Sequence, residues 1–161
     1  MSRGASPPQS ELRRAITAAT PRLERITDAA AARPRAPGKW SRKEIVGHLI
    51  DSASVNHERF VRAQLTDDLV FPTYDQEAWV RLQHYVHAPW IELVSVWSLF
   101  NLQLARVMEA VPNELRTRVR MRHNLSQVAF RTIPPDRPVT LDYFMRDYVA
   151  HLEHHLAQIV E

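Results

Sequence analysis

Apolar residues recur three or four positions apart along most of this chain, the spacing of helices that bury one face. Leu12, Ala15, Ile16, Ala19, Leu23, Ile26 and Ala30 predict a first helix over 9–31. Pro21 follows Thr20 inside it, so a kink or a restart capped by Thr20 is expected there. Ser41 and Glu44 form a Ser-x-x-Glu capping box and open a second helix over 41–65. The Pro-containing stretch Ala32–Lys39 and the stretch Thr66–Thr73 read as loops. A short helix is predicted over 75–85 and a long one over 88–111, with Pro89 in its first turn. Thr140 caps a final helix over 140–160. Between them, residues 112–139 hold Pro134, Pro135 and Pro138 and form a connection long for a small domain. Irregular or hairpin structure is expected there.

The pattern therefore predicts an all-α fold. It is a four-helix bundle over 9–161, preceded by a flexible tail over 1–8, with the long connection before the last helix. Sites in such bundles are built from side chains on facing helices.

Composition narrows the chemistry. The chain has 161 residues, about one domain, and no cysteine, which excludes thiolate ligands and a cysteine nucleophile. No apolar run reaches the roughly 20 residues of a membrane helix, and the N-terminus lacks a signal-like stretch, so a cytoplasmic protein without membrane partners is expected. Net charge is only +3 and the cations form no single run, so nucleic acid is not an expected partner. The nearest cluster is Arg116, Arg118, Arg120 and Arg122, which alternate with Thr117, Val119 and Met121. That period places them on one side of an extended strand, as a half-exposed edge or as a contact for an anion.

The eight histidines matter by placement. At about 100° per residue, His151 and His155 differ by about 40° and stack one turn apart on the last helix. Phe144, Asp147, Tyr148 and Gln158 share their stripe. Such a pair can grip one ion, and it is also an ordinary feature of polar helix edges. It is no HExxH motif, because Leu152 stands where the general base would be. On the second helix Glu44, His48, Asp51, Ser52, Arg59 and Arg62 form another polar stripe. The opposite side is not cleanly apolar, since Lys43, Asn56, His57 and Glu58 lie there, so some of these polar groups are expected to face inward.

The stretch from Gly38 through Trp40, Glu44 and His48 to Ser52 resembles the helix-start signature of the DinB/YfiT-like metalloenzymes. Asn56-x-x-Arg59-Phe60, the Pro72–Trp79 segment and the closing Tyr148-x-x-His151-x-x-His154-His155 resemble the same family, from about Glu11 to the end of the chain. The resemblance implies a four-helix bundle whose metal site takes one histidine from the second helix and two from the last. The matching positions are His48, His151 and His155, with His154 outside the ligand set. One divalent ion is implied, zinc first and nickel second. Three imidazoles leave the ion an open position, which suits catalysis. Asp51, Asp147 and Tyr148 are expected to orient the imidazoles or receive a proton.

Two enzymatic readings follow from the resemblance: transfer of a low-molecular-weight thiol of the bacillithiol or mycothiol type, and hydrolysis by metal-activated water. The third reading is a non-catalytic metal-binding stress-response module. For the first, Arg59, Arg62 and Arg120 are expected near the pocket mouth to receive a carboxylate-bearing thiol. The small-molecule substrate has no signature in the sequence. Trp79, Trp90 and Trp97, with the dimers common among related proteins, raise the expectation of a homodimer. The sequence departs from the family in one place: His123 stands near the family's His-Pro-Glu-Met-Gly-like turn, but its neighbours differ.

Overall fold

A computed structural model describes residues 6–160. Four long helices carry the fold: α1 (Pro8–Glu24), α3 (Arg42–Arg62), α5 (Trp90–Ala110) and α8 (Leu141–Val160). Short helices α2 (Asp28–Ala32), α4 (Gln76–Gln83), α6 (Asn113–Thr117) and α7 (Leu125–Val128) and a 3-10 turn (Tyr85–His87) lie in the connections. The long helices form a ring in which α1 packs on α5 and α8, and α3 packs on α5 and α8. The expected tail falls partly on residues outside those described, and α1 already begins at a buried Pro8.

The first helix breaks later than Pro21 implied. Pro21 sits inside α1, at an exposed position where water can satisfy the carbonyl it frees. The break falls at residues 25–27, where Thr27 accepts from the amide of Ala30 at 3.2 Å and caps α2.

The capping box at the start of α3 is complete. The Ser41 amide donates to Glu44 Oε2 at 2.7 Å, and the Glu44 amide donates to Ser41 Oγ at 3.2 Å. That cap fixes where α3 starts, and so which side His48 and Ser52 present. Gly47, one residue earlier, leaves room for the Tyr85 ring: a Cβ there would lie 2.1–2.6 Å from it. The last helix starts as expected, with the Tyr143 amide donating to Thr140 Oγ1 at 3.1 Å.

The core runs between the four helices and includes Leu12, Leu49, Phe60, Trp97, Leu104, Phe144 and Leu152. Trp90 and Trp97 are buried in it, while Trp79 is partly exposed and packs its ring 4.8 Å from Tyr74.

The 112–139 connection is not a hairpin. Among the described residues its extended parts make only isolated bridges, Leu69 with His123 and Arg120 with Val139. The alternating arginines do not line one face. Arg116 lies in α6 and pairs with Asp142, and Arg118 pairs with Asp67 at 3.2 Å. Arg120 is 2% exposed and donates to the carbonyls of Ala63 at 2.9 Å and Leu115 at 3.2 Å. The last carbonyls of a helix lack intrahelical donors, and this buried arginine supplies one to the Ala63 carbonyl at the end of α3. His123 pins the same connection: its Nε2 donates to the Arg137 carbonyl at 2.7 Å, and its Nδ1 accepts from the Leu125 amide at 3.2 Å.

Candidate metal centre

Helices α3 and α8 run antiparallel, so His48 meets His151 and His155 while Phe60, further along α3, meets Phe144, nearer the start of α8. The nitrogen donors of His48, His151 and His155 all lie within 4.8 Å of one another. His48 Nε2 and His151 Nε2 are 3.1 Å apart across 103 residues of chain. Two nitrogens bound to one tetrahedral zinc at about 2.0–2.1 Å would be separated by about 3.3 Å. One pair already has nearly that spacing.

The imidazoles are held neutral. Burial lowers the His48 pKa to about 4, with the proximity of His155 adding to it. Burial lowers His151 to about 3, helped by His155, His48 and His154. His155 is also lowered by burial, against the pull of its hydrogen bond to Gln158. Neutral imidazoles keep the lone pairs a metal needs.

Two side chains outside the expected set orient these rings. Gln158 Oε1 lies 3.0 Å from His155 Nδ1, and Gln158 Nε2 lies 3.3 Å from His154 Nε2. The amide thus accepts from Nδ1–H of His155, which turns the Nε2 lone pair inward. Ser52 Oγ lies 3.5 Å from His151 Nδ1. Nδ1 of His48 is buried without a hydrogen-bond partner. Lone pairs converging in a buried pocket are what a divalent cation stabilises, so the donor set fits such an ion. Ser52 follows His48 by one helical turn and Gln158 follows His155 by three residues, and those spacings were the signal that could have found them.

The three expected helpers act elsewhere. Asp51 Oδ1 accepts from Tyr85 Oη and Gln83 Nε2, both at 2.7 Å, and so fixes the connection over α3. Tyr148 donates to Asn101 on α5, and burial raises its pKa. Asp147 accepts from the amides of Phe130 at 2.8 Å and Arg131 at 2.6 Å, while burial raises its pKa against those bonds. No carboxylate among the described residues is hydrogen-bonded to any of the three imidazoles.

The centre opens on a cavity of about 430 Å³. Ser52, Asn56 and Arg59 of α3 form one wall, and His151, Tyr148 and Phe144 of α8 the other. Phe130 covers the histidine end, its ring 5.4 Å from His151 and 5.2 Å from His154. Of the three arginines expected at the mouth, only Arg59 lines the cavity. Arg62 is exposed and pairs with Glu58 at 2.7 Å, one turn back on its own helix. Arg120 is committed to the end of α3, as described above.

A DinB superfamily model matches residues 11–159. In structure the chain is similar to YfiT from Bacillus subtilis, reported as a probable metal-dependent hydrolase with an unusual four-helix bundle topology. The TM-score is 0.73 at 19% identity, over 99% of this chain and 88% of that one. No curated protein matches the chain.

Proposed function

The chain belongs to the DinB superfamily, and we propose that it is a divalent-metal-dependent enzyme that transfers a low-molecular-weight thiol of the bacillithiol or mycothiol type. His48, His151 and His155 hold the ion, zinc in preference to nickel. The observation that carries this reading is the convergence of three neutral imidazoles, two of which, His151 and His155, line an open cavity. A divalent ion held by these residues would lower the pKa of a bound thiol and so supply a nucleophile at neutral pH.

The surroundings favour a thiol over water. Hydrolysis needs a general base or acid beside the ion to move the proton of the attacking water. Asp51 does not line the cavity, and both oxygens of Asp147 accept from backbone amides, so neither is placed for that task. A thiol, far more acidic than water at the outset, would depend less on such a partner. Its proton would leave to solvent, the sulfur would form a bond to the electrophilic carbon, and the leaving group would depart with its bonding electrons. Ser52 and Gln158 hold His151 and His155 in place, and Phe130 limits water at the histidine end.

The second reading, hydrolysis by activated water, draws on the similarity to YfiT. The two separate in one assay. Metal-loaded protein is offered alkylating electrophiles with and without small thiols, and simple esters and amides without them. Thiol-dependent adducts detected by mass spectrometry support transfer. Thiol-independent ester or amide cleavage with no adduct moves the assignment to hydrolysis.

A further inference from the structure

We infer that Arg59 forms an anion subsite, and that the cavity takes a ligand with a single carboxylate at Arg59 and, at its other end, the group that meets the three-histidine centre. The inference rests on the metal-centre reading for one end of the ligand and on Arg59 alone for the other.

Arg59 is 5% exposed and lines the cavity wall. Its Nη2 donates to the Pro72 carbonyl at 2.9 Å, and its guanidinium lies 6.0 Å from the Phe71 ring centre. Its Nε is buried with no hydrogen-bond partner. No carboxylate among the described residues forms an ion pair with Arg59. Glu58 pairs with Arg62, Asp147 holds two backbone amides, and Asp51 accepts from Tyr85 and Gln83. A buried cation with a free donor and no counter-charge is costly unless an anion meets it. Burial lowers the Arg59 pKa, against the pull of Tyr74 and Glu58.

The geometry sets the ligand. Ser52 marks the level of His151, and Arg59 stands about 10 Å further along the α3 axis, at a rise of about 1.5 Å per residue. Apart from the histidines, Arg59 is the only cationic side chain lining this cavity among the described residues. One positive charge matches a monoanionic carboxylate better than a dianionic phosphate. Tyr74 and Thr73 line the same wall region and offer neutral hydroxyl donors, Tyr74 with its pKa raised by burial to about 12.

The test uses the full chain loaded with cobalt(II), whose absorption reports thiolate binding. A long-chain ω-mercaptocarboxylate is titrated against its carboxamide. In the wild type the carboxylate should bind about tenfold or more tightly. Arg59→Met should abolish that preference, and Arg59→Lys should keep part of it. Equal affinity for the two probes, or a preference that survives Arg59→Met, overturns the inference. If Arg59→Met fails to fold, the wild-type comparison and Arg59→Lys decide. If cobalt does not bind, the metal reading fails instead. The carboxylate subsite is then read from the Arg59 Nε–H resonance, which should shift on adding a long-chain carboxylate and not its amide; no shift overturns it.

Discussion

Gln158 Oε1 and His155 Nδ1 lie 3.0 Å apart, and the other end of the same amide is 3.3 Å from His154 Nε2. The amide is therefore fixed in one orientation, and it sets the tautomer of His155. Partners of this kind typically govern 10- to 100-fold of metal affinity. Gln158→Leu should weaken zinc binding by about that factor, measured by chelator competition, while far-UV circular dichroism stays unchanged. Gln158→Glu, which keeps an acceptor, should stay within a few-fold of wild type.

The depressed imidazole pKa values fix the sign of the pH response. Unfolded histidines titrate near 6.5, whereas His48 and His151 in the fold titrate at about 4 and about 3. Between these values the unfolded chain binds protons that the folded chain refuses, so stability falls as pH drops from 6.5 to about 4. His48 alone contributes about 3 kcal/mol to that loss. Thermal melts of chelated protein should show Tm falling through this window, and His48→Gln should flatten the fall. Metal affinity should persist below the pH at which free histidines protonate, because His48 and His151 remain neutral there. A drop centred on pH 6.5 would show that the imidazoles are not buried as described.

Asp147 ties the cover of the cavity to α8 through the amides of Phe130 and Arg131. Removing the carboxylate leaves two donors without partners, at a cost of about 1–3 kcal/mol each if they stay buried. Asp147→Ala should lower Tm and speed hydrogen exchange at Phe130 and Arg131, with zinc affinity changed little because Asp147 touches no imidazole. Protection at those two amides equal to wild type would contradict this account of the loop.

Gly47 and Tyr85 are packed so closely that a methyl on Gly47 overlaps the ring. Gly47→Ala should destabilise by about 1–3 kcal/mol, the usual range for overpacking. It should also break the Tyr85–Asp51 hydrogen bond. Adding Tyr85→Ser should recover part of the loss by making room. Additive destabilisation in the double variant would show that the two positions are not coupled.

Much of this was legible in the sequence because the signals were local. The Ser41–Glu44 box fixed the start of α3, and the His151–His155 spacing needed only helical geometry. The meeting of His48 with that pair came from family resemblance, since no local rule joins residues 103 apart. What failed was reading alternation as a strand. Each arginine of Arg116–Arg122 has its own tertiary partner: Arg116 meets Asp142, Arg118 meets Asp67, Arg120 meets the Ala63 carbonyl at the end of α3, and Arg122 meets Asp68. The hydrogen-bond partners of Asp51, Asp147 and Tyr148 were not legible for a similar reason. Sharing a stripe with a histidine does not show which neighbour claims the side chain, and Tyr85, Phe130 and Asn101 claimed these first.

The central claim is that one divalent ion is held by histidines of α3 and α8. Its most direct test is a zinc titration, after chelator treatment, of wild type against the His151→Ala, His155→Ala double variant, with chelator competition reading stoichiometry and affinity. The account predicts one ion per wild-type chain and a loss of affinity by orders of magnitude in a variant that keeps its helices. Unchanged affinity and stoichiometry in the folded variant would contradict it.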